Sequence, residues 1–217
     1  MMKYEGKIDL SKEIILSRVQ MKLVSGENFE KRFHDVPHTD LLDMKAVFQV
    51  KLEDNEADIE KGEGCTANVI ISYATLDTYE ITEDELIKAA GQNTFDKNEF
   101  TIDTMSNVLG GMIGHDVVPE IPKDEPQLYV VTNEQKQNGA TVLMYPALMQ
   151  AFFRMTGKPK VYVIPSSIHE VLIYDDPDAD PNVLRSMVID INRTHVAHDE
   201  VLSNEVYVLD KEGLRVA

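Results

Sequence analysis

Short apolar stretches separated by only a few turn residues constrain this chain more than any other feature. In the C-terminal half, QLYVVT, KVYVIP, EVLIYD and NEVYVLD are rich in β-branched and aromatic residues, which predicts strands. Asn138 and Gly139 favour the positive φ angles of a hairpin turn, so the following ATVLMY is predicted to be a returning strand. Connections this short require antiparallel pairing.

Two helices are predicted among these strands. The first begins at Pro146, which fits the first position of a helix, and ends before Gly157, which fits a C-terminal cap. The second begins at Pro181, directly after the N-cap candidate Asp180. The predicted order from Gln127 onward is therefore ββαββαβ. This order indicates an α+β fold, with a mostly antiparallel mixed sheet and helices packed on one face.

The N-terminal half is predicted to begin with a helix that runs from the N-cap candidate Ser11 to about Leu23. The stretches KAVFQVKL and CTANVIISYA follow as two strands, paired across the polar loop 53–64.

Two further helices are predicted before the linker. Thr82 and Glu85 have the spacing of a capping box, so one helix should start there and end near Gly91. Apolar residues on one helical face predict the other from Ile102 to Ile113.

We expect a single α+β domain over residues 1–217. Its two halves, 1–114 and 127–217, are joined by the segment 115–126, which is rich in proline and acidic residues. The formal net charge of −17 disfavours nucleic acids and anionic membrane surfaces as partners, because both are recognised through Lys and Arg.

The expected location is the cytoplasm. The chain has one cysteine, Cys65, so it cannot form an intrachain disulfide, and its first residues lack the apolar core of a secretory signal. The most apolar stretch, Val142 to Phe153, contains a proline and is too short to cross a bilayer.

Several stretches carry a family resemblance. They are VPHTDLLDMKAVFQVKL, ITEDELIKAAGQNT, YVVTNEQKQNGATVLMYPALM, YVIPSSIHEVLIYDD and VIDINRTHVAHDEVLSNEVYVLD. Together they resemble an uncharacterised bacterial family of gut anaerobes, family 5688 of the domains of unknown function, from about residue 13 to residue 210. The resemblance implies a cytoplasmic bacterial protein and supplies no catalytic residues. Because members of the family are typically longer at the N-terminus, we expect the family's N-terminal region to be absent from this chain.

The stretch PSSIHE allows a catalytic and a structural interpretation. In the catalytic one, Ser166 or Ser167 is a nucleophile and His169 its base, with Glu170 nearby. In the structural one, Pro165 ends a strand and the serines form hydrogen bonds within a turn. The structural interpretation is favoured, because catalytic Ser and His normally come from separate segments and strand alternation sends His169 and Glu170 to opposite faces.

No metal or cofactor site is predicted. His34 and His38 are separated by a proline that would break a helix, and no H-E-x-x-H motif accompanies His195 and His198. The acidic turn DDPDADP lacks the Gly and Glu of a calcium loop, and GGMIGHD lacks the pattern of a phosphate loop.

The function expected from these observations is that of a non-catalytic binding or regulatory module, whose partner is another protein or a second copy of the chain. The alternative is a hydrolase that uses Ser166 or Ser167 with His169 and a remote acid, with or without a metal. A third hypothesis, by analogy alone, is an exposed sheet edge that captures a peptide. The candidate binding residues are Asn133, Asn138, Asn192, His195, His198 and Glu200.

Overall fold

A computed structural model describes residues 11–52, 67–96, 99–119, 121–122, 124–165 and 167–217. Its strands are β1 (Val19–Ser25), β2 (His38–Leu41), β3 (Met44–Leu52), β4 (Ala67–Ile70), β5 (Phe100–Thr104), β6 (Leu128–Asn133), β7 (Lys160–Ile164), β8 (Val171–Tyr174), β9 (Tyr207–Asp210) and β10 (Gly213–Val216). Its α-helices are α1 (Lys12–Arg18), α2 (Gly26–Arg32), α3 (Tyr73–Tyr79), α4 (Glu83–Asp96), α5 (Met105–Ile113), α6 (Pro146–Thr156) and α7 (Pro181–His195), and a 3₁₀ helix covers Gly139–Met144.

The described strands form two antiparallel sheets, which confirms the predicted α+β fold. In the N-terminal sheet, β1 lies along one edge of β3, while β2 and β4 pair with successive parts of its other edge. The predicted pairing of KAVFQVKL with CTANVIISYA is confirmed by the contact between β3 and β4. The loop predicted between them, at 53–64, and Cys65 lie outside the described residues.

The C-terminal sheet has six strands in the order β10-β9-β7-β8-β6-β5, with every neighbouring pair antiparallel. Helix α6 and the 3₁₀ helix pack on one of its faces, through Phe152 and Val142. Helix α7 packs on the other face, where Val188 meets Tyr162 and Val208. This sheet is therefore covered on both faces, whereas the sequence suggested helices on one face.

The predicted strand ATVLMY is wrong, because residues 140–144 belong to the 3₁₀ helix Gly139–Met144 and Tyr145 follows its end. Asn138 does take the positive φ angle expected of the turn, at 53°. The position beside β6 that a returning strand would need is occupied by β8, which pairs Leu128 with Tyr174. The buried 3₁₀ segment instead passes beneath the sheet, so the observed order after β6 is α6, β7, β8, α7, β9, β10.

Two predicted helices are shorter than expected because strands occupy part of their sequence. The helix that begins at Ser11 ends at Arg18, and Val19–Ser25 forms β1. The helix expected from Ile102 begins at Met105, after the strand β5, and Thr104 caps it by accepting a hydrogen bond from the Asn107 amide at 3.2 Å. In both places alternating burial along the chain indicates a strand.

Most of the local signals for helix ends are confirmed. Asp180 accepts a hydrogen bond from the Asn182 amide at 2.8 Å ahead of Pro181, and Gly157 ends α6 with a φ angle of 63°. The capping box of Thr82 and Glu85 is present, but the predicted helix end near Gly91 is wrong, because the helix continues to Asp96.

The largest hydrophobic core joins the two halves of the chain. Leu23, Met44 and Ala46 of the N-terminal sheet pack with Val163 and Ile173 of the C-terminal sheet. Within the described part of the chain, every helix is too short or too polar to cross a membrane.

Candidate functional site

The PSSIHE segment connects β7 to β8 and is held against the loop 196–206. Ser167 and Val201 form an isolated antiparallel bridge, and the Ile168 amide donates to the Glu200 carbonyl at 3.0 Å. The Ser167 hydroxyl accepts a hydrogen bond from the backbone amide of His169 at 3.0 Å. Ser167 is buried and makes the local contact of a turn residue, whereas Ser166 lies outside the described residues.

Both ring nitrogens of His169 have partners. Its Nε2 lies 3.3 Å from Glu200 Oε1, and its Nδ1 accepts a hydrogen bond from the Asn138 amide at 3.4 Å. This pattern assigns the tautomer with the proton on Nε2. Neither nitrogen bonds to the Ser167 hydroxyl, so the geometry of a nucleophile and its base is not formed between these two residues. The hydrolase hypothesis stays a prediction.

Asn138 and Asn133 shape the turn that contacts His169. Both carboxamide atoms of Asn133 bond to the backbone of Gln137, at 2.8 and 3.1 Å, which closes the turn. A Cβ atom on Gly139 would lie only 2.3 Å from the His169 carbonyl oxygen and 2.4 Å from Thr132 Oγ1. Glycine is therefore required where this turn crosses PSSIHE.

The remaining sequence candidates are dispersed. His195 contacts Thr194, with its Nδ1 2.5 Å from the hydroxyl, and lies at the end of α7. Glu170 is half-buried without a hydrogen bond or ion pair to any described residue. His198 lines a cleft between α2 and α7. In the ranges that the structure describes, no group of three or more His, Cys, Asp or Glu side chains is placed to bind a metal ion.

A cleft of about 660 Å³ lies where the N-terminal sheet meets α7 and the loop 196–206. One wall is the start of α2 together with Asp43, in the turn between β2 and β3. The other wall is formed by α7, through Ile189, Asn192 and Arg193, and by the loop that follows. The cleft therefore combines residues from both halves of the chain.

A buried hydrogen-bond network closes one end of this cleft. The Ser203 hydroxyl donates to Asp43 Oδ2 at 2.8 Å and lies 2.8 Å from the Tyr207 hydroxyl, which donates to Asp43 Oδ1. Burial, followed by the hydrogen bond to Asp43, raises the pKa of Tyr207 well above its usual range, so its hydroxyl remains a donor at neutral pH. The backbone amide of Gly26 also donates to the Asp43 carbonyl, at 3.0 Å. The network fixes the β2–β3 turn to the C-terminal half.

Asn192 contributes a buried acceptor without a partner. Its side chain is 5% exposed, and its Nδ2 donates to the Ser203 carbonyl at 2.9 Å and to Asn204 Oδ1 at 3.0 Å. Because the Ser203 carbonyl can only accept, these bonds fix the orientation of the carboxamide. Its Oδ1 has no hydrogen bond with any described residue. Such an atom costs about 1–3 kcal/mol of desolvation, which a hydrogen-bond donor within reach of it would offset.

A cationic and acidic cluster lies beside Glu200. Arg32 Nη1 is 3.7 Å from Asp199 Oδ2, and Lys22 of β1 lies near both Asp199 and Glu200. Burial lowers the pKa of Lys22, and the neighbouring Asp199 opposes that shift. The cluster joins α2 and β1 to the loop that also forms the cleft.

Comparison with protein families shows which family the chain belongs to. A family model described as a family of unknown function, DUF5688, matches residues 7–211. The chain belongs to the DUF5688 family. This confirms the resemblance from about residue 13 to residue 210. No curated protein and no solved structure matches the chain.

Within this DUF5688 protein, the structure brings five of the sequence candidates into two places. Asn138, His169 and Glu200 are in direct contact, while Asn192 and His198 line the cleft. Sequence reasoning missed Asp43 and Tyr207, which complete the network around Ser203. An aspartate in a hairpin turn and a tyrosine in a strand are ordinary at these positions, so their residue types carried no signal.

Proposed function

We propose that this DUF5688 protein is a single-domain, non-catalytic binding module of the bacterial cytoplasm, and that it holds a small polar ligand in the cleft between α2 and α7. The bacterial and cytoplasmic parts of the proposal rest on the family resemblance and on the lone cysteine. The core shared by Leu23, Met44 and Val163 supports one domain.

The unpartnered Oδ1 of Asn192 carries the proposal. It is a fixed, buried acceptor on a residue that lines the cleft, so a ligand that reaches it would present an N–H or O–H group to it. The cleft volume of about 660 Å³ also lies within the range of about 300–1,000 Å³ that is usual for small-molecule sites.

The charges around the cleft favour an uncharged ligand. Glu27 pairs with Lys31 at 2.5 Å, and Arg193 pairs with Asp190 at 2.8 Å. Glu205 likewise pairs with Arg185 at 2.9 Å. Since these side chains already have partners of opposite charge, recognition would depend on hydrogen bonds more than on ion pairing. Amides, sugars and nucleosides have the required donors.

Two isoleucines on α7 provide a matched test. Ile189 lines the cleft and is 46% exposed, whereas Ile191 is 45% exposed and lines a different surface. We expect a thermal-shift screen of neutral amides, sugars and nucleosides to find compounds that stabilise the parent protein. Ile189→Trp should weaken that stabilisation because the indole projects into the cleft and obstructs it, while Ile191→Trp should retain it.

The proposal is contradicted if no compound in these classes stabilises the parent. It is also contradicted if Ile189→Trp binds a stabilising compound as well as the parent does, since the compound would then occupy another site. Isothermal titration of each stabilising compound against the parent and Ile189→Trp would measure whether it binds in the cleft or at another site.

A further inference from the structure

An apolar groove of about 580 Å³ lies between α7 and the C-terminal sheet, on the opposite side of α7 from the cleft. The sheet contributes Leu128, Leu172 and Tyr174 to the groove. Helix α7 contributes Val183, Met187 and Ile191, which are spaced four residues apart and form one stripe. Lys and Arg are absent from the groove lining formed by the described residues.

The stripe on α7 is unusually exposed for apolar side chains. Val183 is 56% exposed, Met187 is 55% and Ile191 is 45%. Leu128, Leu172 and Tyr174, across the groove, are only half-buried. A continuous exposed apolar surface of this kind is typical of an interaction site.

The part of the sheet that is half-exposed beside α7, among the residues that the structure describes, is about as wide as a helix. Helix α7 packs over β7 and β9, where Val188 shares a buried cluster with Tyr162 and Val208. Leu172 and Tyr174 of β8 lie half-buried at the border of that cluster. Beyond β7 lie β8, β6 and the edge strand β5. Neighbouring strands are about 4.8 Å apart, so the two strand spacings from β8 to β5 cover about 10 Å. An α-helix with its side chains has a diameter of about 10–12 Å, so one helix would fill this space beside α7.

Carboxylates border the groove. Asp103 lies opposite Val130, which in turn lies opposite Leu172, so all three project from the groove face of the sheet. Asp180 lines the groove, and Asp176 and Asp178 lie in the turn just before it.

These four aspartates have no cationic partner within 4.0 Å in the described ranges of the chain; the ion pairs found there involve other residues. Lys160 donates to the Tyr162 hydroxyl, whose proton goes to the Ala179 carbonyl, and it pairs with none of the four aspartates. The border of the groove is therefore acidic and unneutralised.

We propose that this groove binds an amphipathic helix of a partner protein, with an apolar stripe that contacts Met187 and flanking Lys or Arg residues that face the aspartates. Apolar anchors at helical spacing are the usual means by which a helix binds in a groove. A second copy of the chain is a poorer occupant, because its net charge of −17 would place more carboxylates beside the acidic border.

A synthetic helix tests the proposal directly. The probe is a fluorescein-labelled peptide of about 18 residues with Leu along one helical face and Lys elsewhere, and its matched analogue carries Glu in place of Lys. We expect the Lys peptide to bind the parent protein in fluorescence anisotropy and the Glu peptide to bind at least about tenfold more weakly. Raising the salt from about 0.05 M to about 0.3 M should weaken binding of the Lys peptide.

Two exposed methionines supply the protein variants. Met187→Glu places a charge in the groove and should weaken binding of the Lys peptide at least about tenfold. Met155→Glu is the control, because Met155 is 52% exposed on α6, which packs against the other face of the sheet. The double variant Asp176→Asn with Asp178→Asn should weaken binding while leaving the apolar lining unchanged. Circular dichroism would verify that each variant is folded.

Three results would overturn the proposal. One is equal binding of the Lys and Glu peptides. Another is an equal loss of affinity in Met187→Glu and Met155→Glu, which would indicate attraction to the acidic surface as a whole. The third is a parent protein that sediments as a dimer and becomes monomeric on Met187→Glu, because the groove would then be occupied by a second copy.

Discussion

Removing one hydroxyl from the network around Asp43 tests whether that network holds the two halves of the protein together. In Tyr207→Phe the ring stays in the core, where Tyr207 is 0% exposed, and only the donor to Asp43 is lost. Ser203 also loses its contact with the hydroxyl at 2.8 Å.

The expected destabilisation follows from the acceptor's charge. A hydrogen bond to a charged group contributes about 1.5–3 kcal/mol, so Tyr207→Phe should lower the free energy of unfolding by roughly 2–3 kcal/mol. For a protein of this size each kcal/mol lowers Tm by about 2–4 °C, so calorimetry should show a decrease of about 4–12 °C. Urea titration should show a lower midpoint with an unchanged m value.

Tyr145→Phe is the matched control. Tyr145 stacks on Phe95 with ring centroids 4.5 Å apart, and its hydroxyl has no hydrogen-bond partner among the described residues. Its loss should change the free energy of unfolding by less than about 0.5 kcal/mol. If Tyr207→Phe is no more destabilising than Tyr145→Phe, the network around Asp43 does not stabilise the contact between the two halves.

Tyr207→Phe should also change how the stability of the protein depends on pH. Because the folded-state pKa of Tyr207 is raised above its unfolded value, the unfolded chain releases this proton first as pH rises past about 10. The folded parent should therefore lose stability above that pH. Burial also raises the pKa of Tyr129 and Tyr174, so the parent has several such contributions. Tyr207→Phe should lose stability less steeply than the parent as pH rises above about 10. Equal slopes in the two proteins would contradict a raised pKa of Tyr207.

Three further predictions concern the turn, the histidine and the C-terminal hairpin. Gly139→Ala should destabilise the protein by about 2 kcal/mol or more, because the added Cβ clashes with the His169 carbonyl. Gly111→Ala is the control: its Cβ would meet open space, so stability should stay unchanged or rise by up to about 1 kcal/mol. Denaturant titration of both variants would measure the two changes. His169→Ala should lower Tm by about 2–8 °C because the ring loses two partners, and an unchanged Tm with loss of a hydrolytic activity would favour the hydrolase hypothesis. The hydrogen bonds from Arg215, and after them one from a backbone amide, hold the pKa of Asp210 at about 2. The stabilising ion pair should therefore be lost only as pH falls below about 3.8 and towards 2, which NMR titration of Asp210 would show. Arg215→Ala should return the pKa of Asp210 towards its usual range.

Local signals in the sequence were sufficient where the neighbouring residues alone determine the structure. Asp180 with Pro181, and Thr82 with Glu85, begin helices because each cap satisfies backbone amides within three positions. Strand composition was equally informative for β7, β8 and β9, whose residues pack on both faces of one sheet.

Tertiary packing overrode those signals in the 3₁₀ segment, whereas in β1 the sequence carried two competing local signals. Residues 139–143 have strand-like composition, but the edge beside β6 belongs to β8, so these residues form a buried 3₁₀ helix. For β1, the alternation of the buried Val19, Met21 and Leu23 was a usable signal for a strand that the helical interpretation overlooked.

The cleft shows why a site can be only partly visible in a sequence. Asn192 was identified by its residue type. Its importance depends on the lack of a hydrogen-bond donor near its Oδ1 among the described residues, and only the folded structure shows this. Ser203 and Asp43 are 160 positions apart, and each has an ordinary local explanation in a loop or a turn. Their contact arises only when the N-terminal sheet packs on the C-terminal one. A site built at such a junction is determined by the packing of two sheets, so no motif of adjacent residues is needed to specify it.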